Sequence, residues 1–335
     1  MASNLGTVVV LGTGGTIAGT IAGTTPGTAD ATRHIGYRAG VLGVDALLAA
    51  VPALQGVPLE AHTLARLDSC DMDHSTWAML AASAAEHLAR PEVAGVVMTH
   101  GTDTLEETAY FLHRTVRAIK PLVLTAAMRP ASALSPDGPQ NLFDAVTLAR
   151  EPGACGVLVT MGGVVYGGAD LRKLHGYRVD AFSAGDAGPV ALMEDGHVRG
   201  LRLWPATPLH RSAGRLGPPA QWPQVDIVLS HAQADGRVID ALVAAGGARR
   251  SRGIVIAGTG NGSVHGDLKA AAHRALAQGV RVVRASRCWA GGVVGEEPGD
   301  LPSYGVLTPV QARIELMLDL LAGTQFQTTI KPPSA

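Results

Sequence analysis

Thr7-Val8-Val9-Val10-Leu11 runs directly into Gly12-Thr13-Gly14-Gly15-Thr16-Ile17-Ala18-Gly19. The first five residues are a short apolar, β-branched run of the kind that forms a buried strand. The glycines that follow let the backbone turn sharply and approach a ligand closely, since without a Cβ they reach φ values that other residues avoid. Thr16 is thereby set on a turn at a strand's carboxyl end, which is where α/β proteins bind ligands. A dinucleotide fingerprint starting at Gly12 and Gly14 would require glycine at position 17, and that residue is Ile17. A purely structural glycine corner and a perch for a nucleophile both remain open at this point.

Similar runs recur at Val93 to Thr99, Leu122 to Thr125, Gly156 to Thr160, Asp226 to Ser230, Gly253 to Ala257 and Val280 to Ala285. They alternate little with polar residues, as expected where helices cover both faces of a parallel sheet. Helix signals fall between them. Thr104-Leu105-Glu106-Glu107 reads as a capping box, followed by Leu105, Ala109, Leu112 and Val116 on one face. Thr308-Pro309-Val310-Gln311 opens an apolar helix that reaches Leu321 and stops at Gly323. Pro189 to Met193, then Glu194-Asp195-Gly196-His197 and Val198 onward, predicts a hairpin and hence a mixed sheet. Five prolines between Trp204 and Val225 mark a linker. The chain is expected to be α/β with two domains. The larger N-terminal one, residues 1–204, has a mixed sheet flanked by helices. A linker over 205–225 leads to a smaller, Rossmann-like parallel-sheet domain over 226–335.

Composition supports a large core, with 47% hydrophobic and 16% charged residues among 335. Formal net charge is -1 and the basic residues are scattered, so no cationic stripe is available for nucleic acid. Glycine, proline or charge interrupts every apolar run before the roughly 20 residues a membrane helix needs. Strand Thr7 to Leu11 begins close to Met1, so no signal peptide is expected. Cys70, Cys155 and Cys288 are odd in number and far apart, which fits a reducing cytoplasm better than a disulfide framework. Asp68 to His74 gathers metal-capable side chains but lacks the pattern of a calcium loop, and no HExxH occurs, so no metal is expected.

Three further segments place reactive groups on turns. His100-Gly101-Thr102-Asp103-Thr104 follows strand Val93 to Thr99. Helix capping accounts for Asp103 or Thr104 there, but leaves His100, Gly101 and Thr102 unexplained. If both strands run parallel, this turn shares a sheet edge with Thr16. Lys173, alone, reads as a solvated surface lysine; buried beside Thr102 and Asp103, its amine would be depressed in pKa and able to take a proton from a hydroxyl. Ser69-Cys70-Asp71 precedes a helix carrying Trp77 and Leu80, where Asp71 or Asp73 serves as cap.

Together these segments resemble the bacterial-type L-asparaginases, which hydrolyse L-asparagine to aspartate and ammonia. The resemblance is carried by Thr13-Gly14-Gly15-Thr16-Ile17-Ala18-Gly19 and by His100-Gly101-Thr102-Asp103-Thr104-Leu105-Glu106-Glu107-Thr108-Ala109-Tyr110. Ala127 to Pro130, Asp137 to Leu142 and Gly258 to Gly262 add to it, and it spans roughly Val8 to Leu321. It implies a threonine nucleophile at Thr16, activated by a lid tyrosine at Tyr37. Thr102 and Lys173 would activate the nucleophile or water, Asp103 would hold the substrate's α-ammonium, and Ser69 its α-carboxylate. It also implies a cytoplasmic homotetramer, with no cofactor or metal, whose C-terminal domain reaches a neighbouring subunit's site. Such a reaction needs a nucleophile, a base, and donors for the developing oxyanion, which backbone N–H groups of a glycine-rich turn can supply.

The chain departs from the family at the specificity positions. Cys70 stands where glutamine or glutamate usually contacts the substrate's amino group, and a thiol is a weak hydrogen-bonding group. Ser263 stands where many members have asparagine, and the acidic partner falls at Glu296, Glu297 or Pro298. Two alternatives stay open: a glutaminase-asparaginase or other small-amide amidase, and a non-catalytic amino-acid-binding protein.

Overall fold

The computed structural model of the protein describes residues 6–21, 37–38, 43–205, 216–295 and 297–323; the side chains at 20, 21, 37, 38 and 248 lie outside that description. The chain divides into two compact units, Met1–Arg215 and Leu216–Ala335. In the first, the described elements in chain order are β1 (Thr7–Gly14), β2 (Thr20–Ile21), β3 (Tyr37–Arg38), α1 (Val44–Ala49), β4 (Leu59–Leu67), α2 (His74–Leu88), β5 (Val93–Thr99), α3 (Leu105–Thr115), β6 (Pro121–Thr125), α4 (Gly138–Ala149), β7 (Gly156–Met161), β8 (Val164–Gly167), β9 (Arg172–Lys173), β10 (Phe182–Ser183), β11 (Ala191–Glu194) and β12 (His197–Gly200). The second holds β13 (Val225–Leu229), α5 (Arg237–Ala244), β14 (Gly253–Gly258), α6 (Gly266–Ala277), β15 (Arg281–Ser286) and α7 (Pro309–Ala322).

Eight strands of the first unit form one sheet in the order β12-β11-β8-β7-β6-β5-β1-β4. Neighbours from β7 through β4 are parallel, whereas β8, β11 and β12 join antiparallel, so the sheet is mixed as the hairpin signal predicts. The tight turn of that hairpin takes positive φ at Asp195 (50°) and Gly196 (74°), the requirement that makes Asp-Gly a hairpin signature. Val8, Val10, Val97, Val123 and Leu158 on the strands pack with Leu142, Ala145 and Val146 of α4 in one fully buried cluster. The continuous apolar runs therefore reflect burial on both faces of the parallel strands.

The second unit is a three-stranded parallel sheet, β13-β14-β15, packed through Ile254, Ile256 and Val282 against Ile239 of α5 and Leu268 of α6. Its last helix opens on the expected capping box: Thr308 accepts from the Gln311 N–H and Gln311 accepts from the Thr308 N–H, with Pro309 in the first turn and Gly323 left-handed at the end. The chain is thus α/β, a large mixed sheet plus a smaller parallel one.

Edge strand β4 is tied to the end of α2 by a charged cluster. Arg90 donates to both oxygens of Glu60 (2.9 and 2.8 Å) and to Nδ1 of His87 (3.1 Å), and Nε2 of His62 bonds Glu60 at 2.7 Å. The guanidinium beside it holds the Glu60 carboxyl down at about 2, against 4.5 ordinarily. A carboxylate whose pKa is lower in the folded state stabilises that state above its unfolded pKa and loses that contribution as pH falls toward the folded value. We expect the difference in thermal midpoint between wild type and Arg90→Ala to be largest above pH 5 and to shrink between pH 4.5 and 2. Differential scanning fluorimetry across that range checks it; a difference independent of pH would contradict the assignment.

Candidate active site

The site is assembled at the carboxyl edge of the parallel strands. Register places Gly12 opposite Thr99, Gly14 opposite Leu67, and Thr99 opposite Thr125, so the turns after β1, β4, β5 and β6 start from one line across the sheet. Thr13 fixes the first of them by donating its hydroxyl to the Thr99 carbonyl at 2.8 Å, and the Gly15 N–H donates to Leu67 O at 3.1 Å.

Gly15 and Gly101 explain how close these turns come. A Cβ on Gly15, whose φ is +78°, would lie 2.4 Å from both N and Cα of Gly101; one on Gly101 would lie 2.4 Å from Ser69 Oγ. Three turns carrying Thr16, Thr102 and Ser69 therefore interlock, Gly15 against the Gly101 backbone and Gly101 against the Ser69 side chain, at a closeness that only glycine permits. Side chains reinforce it. The Asp103 N–H donates to Ser69 Oγ (3.1 Å), and the Thr104 hydroxyl donates to Ser69 O (2.7 Å). Thr104 is the residue before α3 but makes no side-chain cap there, contrary to the capping-box reading, because its hydroxyl is committed to the Ser69 turn. At α2 the cap is Asp73, which accepts from the Thr76 N–H at 2.7 Å.

Lys173 joins this group from β9. Its Nζ donates to Thr102 Oγ1 at 2.9 Å and to Asp103 Oδ1 at 2.6 Å, with only 14% of its side chain exposed. Asp103 is 53% exposed, so its carboxylate also faces solvent. Thr16, in a short 3-10 turn after Gly15, is buried, as are Thr102 and Ser69. His100 is fully buried; its N–H takes Thr125 O, its Nδ1 bonds Gly101 O at 2.7 Å, and burial drives the imidazole down to about 4. It is a neutral brace for the Gly101 carbonyl, which accounts for a residue that capping left unexplained. Cys70 is exposed beside Ser69, and partial desolvation with the carboxylates of Asp68, Asp71 and Asp103 pushes its thiol up, away from the reactive thiolate.

The remaining expected residues are placed in part. The backbone of β3 pairs antiparallel with β2, setting Tyr37 opposite Ile21, four residues beyond Ile17; the Tyr37 side chain lies outside the described residues. In the second unit, Ser263 is exposed on a turn after β14 closed by Thr259 N–H to Ser263 O (2.9 Å) and Ser263 N–H to Thr259 O (2.8 Å). Glu297 is exposed on the loop after β15, and Glu296 lies outside the described residues. Asn261 links these two loops, holding the Val294 N–H and carbonyl at 2.7 Å each.

Sequence reasoning missed the support from α4. Asp137 accepts from the N–H groups of Met128 and Arg129 (3.0 and 2.9 Å), while Asn141 donates to Ala126 O (2.9 Å) and accepts from Gly162 N–H (3.0 Å). The Asp137 to Leu142 motif was its signal. Among the described residues, the one group of three His, Cys, Asp or Glu side chains with ligand atoms within 4.8 Å of one another is Glu60, His62 and His87. Arg90 donates into that group, so the carboxylate there is already paired.

A parallel-sheet edge bearing buried hydroxyls, a lysine and a carboxylate, closed by interlocked glycine turns, gathers the groups that acyl-transfer chemistry uses. Residues 7–204 match the model of the asparaginase N-terminal domain and 224–331 that of the glutaminase/asparaginase C-terminal domain; the chain belongs to the asparaginase family. It is 35% identical to L-asparaginase 2 of Bacillus subtilis, over 95% of this chain and 83% of that protein. It is 34% identical to the glutaminase-asparaginase of Pseudomonas fluorescens, over 95% of this chain and 87% of that protein. The crystal structure of a probable cytoplasmic L-asparaginase from Campylobacter jejuni is similar with a TM-score of 0.85 and 36% identity, over 94% of this chain and 95% of that one.

Proposed function

We propose that the chain hydrolyses L-asparagine to L-aspartate and ammonia by acyl transfer through Thr16. The observation that carries this reading is the interlock of the Thr16, Ser69 and Thr102-Asp103 turns, with Lys173 Nζ 2.9 Å from Thr102 Oγ1. The Thr16 hydroxyl attacks the side-chain amide carbon, and its proton leaves through Tyr37 or the Thr102-Lys173 pair. Backbone N–H groups of the glycine turn stabilise the oxyanion, a contribution on the order of 3 kcal/mol per donor. Ammonia departs after protonation of the nitrogen, and water then cleaves the aspartyl ester to regenerate Thr16. Asp103 receives the substrate's α-ammonium and Ser69 its α-carboxylate. Ser263 with Glu296 or Glu297 approaches the site of a neighbouring subunit in a homotetramer. The three free cysteines, none in a disulfide, favour a cytoplasmic setting.

Cys70 offers the substrate's amino end little hydrogen bonding, which penalises a longer substrate that needs more positioning. We therefore expect kcat/KM for L-asparagine to exceed that for L-glutamine by more than about tenfold, or roughly 1.4 kcal/mol. Ammonia release measured with both amino acids checks it. Values within tenfold of each other would favour the glutaminase-asparaginase reading, consistent with the Pseudomonas relative, and no release from either would leave a binding protein.

A further inference from the structure

Lys173 is held at both ends by one short segment of chain. Thr102 and Asp103 take its Nζ, and Glu106, three residues further on in the first turn of α3, accepts its backbone N–H through Oε2 at 3.2 Å. That backbone bond matters because β9 is outside the eight-stranded sheet and, among the described residues, pairs with the two-residue β10 alone. Antiparallel pairing sends alternate N–H groups to opposite sides. The Leu174 N–H goes to Ala181 O at 2.7 Å, and so the N–H of Lys173 points outward, toward α3. Glu106 is the acceptor waiting there.

We infer that Glu106 is a positioning residue for Lys173, clamping the backbone of β9 so that Nζ stays on Thr102 and Asp103. The inference rests on the reading of Lys173 as part of the catalytic machinery. An ionised carboxylate makes the stronger acceptor, because charge-assisted hydrogen bonds are roughly twice as strong as neutral ones. Burial, with Glu107 adjoining, raises the Glu106 carboxyl to about 7, opposed by the Lys173 N–H and by the charges of Arg172 and Lys173. Asp103 lies on the same segment, and Asp186 and Asp170 also interact electrostatically with Arg172. The clamp is therefore tight above neutrality and looser below it.

Glu106→Gln keeps a neutral acceptor and mimics the protonated side chain at every pH; Glu106→Ala removes the acceptor. For L-asparagine, the ratio of wild-type to Glu106→Gln kcat/KM is expected to be near one at pH 5.5 and to rise to about threefold or more at pH 8.5. Glu106→Ala is expected to lose about tenfold in kcat at pH 8.5 with KM within about twofold, since a misplacement of about 1 Å in a positioned group costs up to about 100-fold. A flat wild-type to Glu106→Gln ratio across that range overturns the clamp, as does Glu106→Ala turnover within twofold of wild type. Should Glu106→Ala fail to fold, the Glu106→Gln ratio decides alone. Lys173→Met separates the two claims: near-normal turnover there overturns the role of Lys173 itself. Loss of turnover there, beside a wild-type-like Glu106→Ala, overturns only the clamp.

Discussion

Thr16→Ala is expected to lower kcat for L-asparagine by on the order of 10⁴-fold while leaving the protein folded and able to bind L-aspartate. The magnitude follows from removing the atom proposed to form the covalent bond, since losing one member of a nucleophilic set removes most of what the set achieves together. Binding persists because Ser69 and Asp103 sit on other turns, joined to each other by the Asp103 N–H to Ser69 Oγ bond. Stability changes little, within about 1 to 2 kcal/mol, because a buried threonine loses only a hydroxyl and a methyl. Ammonia release, an L-aspartate titration and a thermal melt on the same preparation check all three parts. Full turnover by Thr16→Ala would remove the nucleophile assignment.

Gly15→Ala acts on the architecture. Gly15 has φ +78° and ψ -172°, a region open essentially to glycine alone, and the added methyl would meet Gly101 backbone at 2.4 Å. Backbone strain and overpacking each contribute about 1 to 3 kcal/mol, so the sum reaches about 4 kcal/mol. That is a large part of the 5 to 15 kcal/mol typical of a domain. Relief requires the Thr16 and Thr102 turns to separate, which dismantles the site even where the sheet survives. We expect a lower urea midpoint and no measurable ammonia release. An unchanged midpoint with normal activity would contradict the interlock.

The inner parallel strands were legible because they are continuous apolar runs ending in glycine or a polar turn, as in Val93 to Thr99 before His100-Gly101. Edge strand β4 was not: Leu59–Leu67 mixes charge, histidine and leucine because its side chains are mostly half-exposed. The pairs β2 with β3 and β9 with β10 are two residues long and too short to show any period. Thr104 had the spacing of a cap, yet a contact 35 residues away claimed its hydroxyl. Local pattern cannot report such competition.

The same distinction holds in the site. Thr16, Ser69, Thr102 and Asp103 stand on turns directly after strands, where a hydroxyl or carboxylate has no packing reason to be. Lys173 has no local signal, because its burial depends on β9 meeting a helix start some 70 residues earlier. Glu106 stands within the Thr104-Leu105-Glu106-Glu107 capping-box segment, which gives it no role of its own. Its bond to the Lys173 N–H becomes visible only once β9 is placed.

On the proposed mechanism these turns form one pocket that orients L-asparagine against Thr16. A crystal structure with L-aspartate bound tests it most directly. The α-ammonium is expected on Asp103, the α-carboxylate on Ser69 and the side-chain carboxylate beside the Thr16 hydroxyl. L-aspartate bound elsewhere, or bound here with its side chain turned away from Thr16, would contradict it.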